Sequence, residues 1–103
     1  MHAGTWRATS AALAALTLAA CTSTEEALID RGFDPAYAAG YDDGCASGKE
    51  AAGGLFAEAA KDQARYGADD QYTLGWDEGF ATCRRDTAAM VRDARLRNPH
   101  QDN

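Results

Sequence analysis

One phrase occurs twice and constrains the fold more than anything else in the chain. Tyr37-Ala38-Ala39-Gly40-Tyr41-Asp42-Asp43-Gly44-Cys45 returns, 35 residues later, as Tyr72-Thr73-Leu74-Gly75-Trp76-Asp77-Glu78-Gly79-Phe80. Residues at i, i+3, i+4, i+7 and i+8 share one face of a helix. Tyr37, Gly40, Tyr41, Gly44, Cys45 and Gly48 have that spacing, as do Tyr72, Gly75, Trp76, Gly79, Phe80 and Cys83. Each set spans an arc of roughly 140° at 100° per residue. The acids Asp42, Asp43, Asp77 and Glu78 fall outside it, toward water. No two-residue alternation runs through either phrase, so a strand is excluded.

A glycine inside a helix costs about 1 kcal/mol relative to alanine. Two or three per helix need a compensating contact. Glycines four apart form a groove into which a neighbouring helix can settle, with the aromatic residues as knobs. The expected fold is therefore all-α: a small bundle of two or three helices, packed through glycine and aromatic residues. The packing set is Tyr37, Gly40, Tyr41, Gly44, Gly48, Tyr72, Gly75, Trp76, Gly79 and Phe80.

Asp34-Pro35 is a helix start, the acid capping free N–H groups and the proline suiting the first turn. Asp69 stands at the equivalent place before the second phrase. The first helix is expected over 35–52 and ends at Gly53-Gly54. A shorter helix with a thin apolar face is expected over 55–66. The last helix starts near Asp70, runs past Cys83 and ends before Asn98-Pro99. If 55–66 is helical, an up-down-up path makes the two phrase helices parallel. If it is only a connector, they can form an antiparallel pair. The periodicity leaves both open.

The beginning of the chain has a different character. Arg7 precedes an apolar run at 8–20, 13 residues long. A permanent bilayer-crossing helix needs about 20, so 1–20 reads as a secretion signal. The run closes with Leu18-Ala19-Ala20-Cys21, which resembles the bacterial lipobox. The resemblance implies cleavage before Cys21, with acyl chains on its thiol and new amino group. Several chains anchor firmly, because each buried CH₂ contributes about 0.8 kcal/mol. Thr22, where an Asp resembles an inner-membrane retention signal, implies an outer-membrane lipoprotein facing the periplasm. The expected organisation is a signal at 1–20, a lipidated tether at 21–33, a helical domain at 34–97 and a frayed tail at 98–103.

Cleavage would remove Arg7 and leave 9 basic against 16 acidic side chains, a formal charge of −7. That opposes nucleic-acid binding and broad attraction to anionic lipid. With Cys21 lipidated, Cys45 and Cys83 remain in an oxidising compartment. They read first as a disulfide, with free or intermolecular thiols as the other reading.

Candidate chemistry is sparse. Asp42, Asp43, Asp69, Asp70, Asp77 and Glu78 could gather a hard cation, giving a ligand- or metal-binding module as the alternative function. No calcium-loop spacing is present, and a solvated acidic surface is the leading reading, so no metal ligand is assigned. His2 lies in the signal and His100 in the tail, which leaves no triad. No cofactor motif is present, and no enzyme activity is expected. Basic residues concentrate late: Arg84, Arg85, Arg92, Arg95 and Arg97 meet only Asp86 and Asp93. Arg84, Arg85, Arg92 and Arg95 are the candidate partner-binding residues, toward an envelope protein, an anionic polymer or a second copy.

Taken together, the lipobox, Gly40-Tyr41-Asp42-Asp43-Gly44-Cys45 and the phrase from Tyr72 to Cys83 resemble small lipoproteins and secreted proteins of Gram-negative bacteria. The resemblance covers most of residues 33–84 and carries no activity with it. The functional expectation is a non-enzymatic envelope lipoprotein, a small helical interaction or accessory module.

Overall fold

The computed structural model describes residues 23–98 and His100. The expected signal peptide and Cys21 lie outside these residues, as does most of the expected tail. Three helices follow one another: α1 (Thr24–Asp30), α2 (Pro35–Ala51) and α3 (Asp70–Arg97).

The caps account for the helix boundaries. Ser23 accepts from the Glu26 N–H and starts α1. Asp34 accepts from the Ala36 N–H ahead of α2, with Pro35 in the first turn. Asp69 accepts from the Gln71 and Tyr72 N–H groups at the start of α3. Helix α2 ends in a Schellman motif: Gly53 N–H bonds to Glu50 at 3.0 Å, and Gly54 N–H to Lys49 at 2.8 Å. Gly53 takes φ +80°, which a side chain would strain. Helix α1 ends in the same motif. It occupies much of the stretch expected as a tether.

Helices α2 and α3 are parallel. A methyl group on Gly40 would overlap the Tyr72 carbonyl; on Gly44, that of Trp76; on Gly48, that of Phe80. The contact moves down both helices together. It is also reciprocal, since Gly75 faces the Tyr37 carbonyl and Gly79 that of Tyr41. Each glycine of one phrase therefore lies against the aromatic position of the other. A pseudo-twofold axis runs between the helices and relates residue n of α2 to residue n + 35 of α3. Among the described helices, α1 packs on α2 and not on α3.

The 55–66 helix is absent. That stretch is turns and extended chain, yet the phrase helices are still parallel. The connector is long enough to return beside them. Undoing the rise of α2 requires about 26 Å at 1.5 Å per residue. Extended chain covers that in about eight residues. Side chains of the helix pair then satisfy its backbone. Ser47 Oγ accepts from Ala60 N–H at 2.8 Å and donates to Ala60 O at 2.7 Å. Trp76 Nε1 donates to the same carbonyl at 2.9 Å.

The apolar core is small. Ala38, Cys45 and Tyr72 are its buried hydrophobic residues. Cys45 and Cys83 form a disulfide with Cα atoms 5.0 Å apart, a staple suited to so thin a core. The large apolar side chains of Leu55, Phe56, Met90 and Leu96 stand exposed.

Candidate interaction surfaces

The acids of the repeat have jobs that periodicity did not reveal. Tyr72 Oη donates to Asp43 at 2.6 Å and accepts from the Asp62 N–H at 2.8 Å. Tyr37 Oη donates to Glu78. The two pairs are equivalents under the pseudo-twofold axis. Tyr66 Oη donates to Asp77 at 2.7 Å. Burial first, and then the bond to Glu78, push Tyr37 up to about 12. Burial first, and then the bond to Asp43, push Tyr72 up to about 12. The hydrogen bond to Asp77 raises Tyr66.

These contacts correct the picture of a purely solvated acidic face. Asp43, Asp77 and Glu78 are hydrogen-bond acceptors for tyrosines, and Asp69 is a helix cap. Among the described residues, no group of three or more His, Cys, Asp or Glu is placed to hold a metal ion. The metal-binding alternative therefore finds no ligand set there.

The rings form two ladders. Phe33 stacks on Tyr37 at 5.3 Å, and Tyr37 leans on Tyr41 at 6.0 Å. On the other side, Tyr66 meets Trp76 edge-on at 5.6 Å and Trp76 stacks on Phe80 at 5.1 Å. Lys61 Nζ sits 3.8 Å from the Tyr66 ring and 3.9 Å from the Trp76 ring. Ser47 and Lys61 were not singled out by sequence. Only a partner for Ser47 across the chain would have signalled its role, and no periodicity carries that.

The arginines occupy the other end of α3. Gly54 approaches the Thr87 side chain near the end of α2. Beyond Thr87, α3 continues through Arg97 for about 15 Å at 1.5 Å per residue, with no other described helix beside it. Arg84, Arg85 and Arg92 line an open recess of about 470 Å³ with Phe80, Ala81 and Ala88. Arg95 lies about one turn further on. Among the described residues, the ion pairs are Arg65–Asp69 at 3.5 Å and Arg85–Asp86 at 3.3 Å. Met90 is 63% exposed and Leu96 75% exposed on the same arm.

No described helix is long and apolar enough to cross a membrane. No family model, curated protein or solved structure matches the chain.

Proposed function

We infer that the protein is a non-enzymatic accessory module of the bacterial cell envelope, and that the basic arm of α3 is its docking element. The observation carrying this reading is the extension of α3 beyond Thr87, unpaired among the described residues, with Arg84, Arg85, Arg92, Arg95 and the exposed Leu96 on one face of the helix and the exposed Met90 on the other. An isolated helix of this length is marginal in water. Here it grows from a helix already clamped by glycine packing and a disulfide, so it is presented preformed. Basic side chains beside apolar ones suit an anionic partner surface, either an envelope protein or an acidic polymer.

The lipobox at Leu18-Ala19-Ala20-Cys21 supports anchoring through acylated Cys21, on the periplasmic side of the outer membrane. In this reading the anchor fixes the module to a surface while the parallel pair holds the arm out. The test combines membrane fractionation with intact mass measurement of extracted protein. The reading expects a chain beginning at an acylated Cys21 in the outer-membrane fraction. A soluble chain retaining residues 1–20 contradicts the anchor. Loss of a co-purifying partner on Arg92→Glu/Arg95→Glu supports the arm as docking element, and unchanged recovery contradicts it.

A further inference from the structure

The pseudo-twofold axis makes two grooves between α2 and α3, one on each side, and the described residues fill only one. The filled groove holds the extended connector at residues 60–62. Three side chains grip its backbone: Ser47 and Trp76 at Ala60, and Tyr72 at Asp62. Lys61 then lies over the aromatic ladder.

Adding or subtracting 35 gives the opposite groove. Ser47 maps to Thr82, Trp76 to Tyr41, Tyr72 to Tyr37 and Asp43 to Glu78. The correspondence holds in detail where it can be checked. Tyr37 donates to Glu78 as Tyr72 donates to Asp43. Tyr72 also accepts the connector's N–H, whereas Tyr37 accepts none from a described residue. Thr82 keeps a hydroxyl where Ser47 has one, and that hydroxyl has no described hydrogen-bond partner. Burial tells the same story. Tyr72 is 1% exposed and Ser47 6% exposed under the connector, while Tyr37 and Thr82 are only partly covered. Helix α1 does not fill this groove, since it packs on α2 and not on α3.

We propose that the groove formed by Tyr37, Tyr41, Glu78 and Thr82 is a docking site for an extended polypeptide segment of a partner protein, carrying a lysine or arginine. The occupant's chemistry follows from the segment seated in the equivalent groove. A backbone N–H meets Tyr37 Oη, the Thr82 hydroxyl exchanges bonds with a backbone N–H and C=O, and a cationic side chain lies on the Tyr41 ring beside Glu78. This surface is separate from the arginine arm and does not depend on it.

The probe is a synthetic peptide copying residues 58–66, Glu-Ala-Ala-Lys-Asp-Gln-Ala-Arg-Tyr, titrated into the natively processed, isotope-labelled chain in mild detergent. The expected result is saturable amide shifts around Thr82 and Tyr41 with those around Ser47 and Ala60 unmoved. Thr82→Val should weaken binding about thirtyfold, the scale of two hydrogen bonds. Replacing the peptide's lysine by glutamine should weaken it further. Tyr37→Phe should do the same, and Thr82→Val keeps the test valid if that variant unfolds. Shifts at Ser47 and Ala60 would mean displacement of the connector and would overturn the proposal. So would the absence of any saturable shift. Shifts at Thr82 that follow protein concentration without peptide would assign the groove to a second copy instead, also overturning it.

Discussion

Tyr72 reaches across the helix pair to Asp43 at 2.6 Å, and its equivalent Tyr37 reaches the opposite way to Glu78. The first aromatic residue of each phrase thus hydrogen-bonds the acidic filler of the other. The glycines fix the register and the direction of α2 against α3, because Gly40, Gly44 and Gly48 meet Tyr72, Trp76 and Phe80 in the same order along both helices, and the two tyrosine–acid pairs tie the helices together on either side.

Glycine packing makes a substitution change sign. In an isolated helix, Gly→Ala stabilises by about 1 kcal/mol. Gly44→Ala should instead destabilise by about 1–3 kcal/mol, because the added methyl overlaps the Trp76 carbonyl and forces the helices apart. Thermal unfolding followed by circular dichroism checks this. A raised melting temperature would mean that the helices are not in backbone contact at Gly44.

The tyrosines predict an alkaline transition. Tyr37 and Tyr72 sit at about 12 in the fold, against about 10 for an unfolded tyrosine. Between these values the folded chain holds protons that the unfolded chain releases. Their contribution is therefore complete below pH 10 and is lost as pH rises through 12. Denaturant midpoints measured from pH 8 to 12 should fall over that window, and the Tyr37→Phe/Tyr72→Phe double variant should show a shallower fall. An equally steep fall in the double variant would place the cause elsewhere.

The single variants should differ. Tyr72→Phe removes bonds to both Asp43 and the Asp62 N–H, whereas Tyr37→Phe removes one described bond. A hydrogen bond to a charged group contributes about 1.5–3 kcal/mol. Urea unfolding should rank Tyr72→Phe as the more damaging, and the reverse order would contradict the connector's attachment at Asp62.

Reduction of the disulfide should be costly. Cys45 and Cys83 are 38 residues apart, and closing such a loop stabilises by about 4 kcal/mol in the chain-entropy model. The Cys45→Ser/Cys83→Ser variant should lose most of its cooperative unfolding at 25 °C. A variant that melts as the parent does would mean that glycine packing alone holds the pair.

The repeat made the helices, their caps and their contact face readable, because a period near 3.6 and a capping acid are local properties. Direction was not readable. The face of Gly40 and Gly44 is the same whether its partner runs up or down. The 55–66 stretch misled for a related reason. Its alanines, Glu58 and Lys61 suit a helix, but Leu55 and Phe56 find no surface to cover. Ser47, Trp76 and Tyr72 offer its backbone bonds that a helix would otherwise make internally. The roles of Asp43 and Glu78 stayed hidden because a carboxylate outside the apolar arc looks the same whether it meets water or a tyrosine from 29 to 41 residues away. The arginine cluster could be read as composition; that it extends beyond the end of α2 could not.

The functional reading rests on the arm of α3, and site-directed photocrosslinking in living cells tests it most directly. A photoreactive residue at Arg92 should give a discrete adduct that disappears when Arg84, Arg85 and Arg95 are changed to glutamate, while one at Gln71, at the far end of α3, gives none. No adduct from Arg92, or one that survives the charge reversal, would contradict the arm as the docking element.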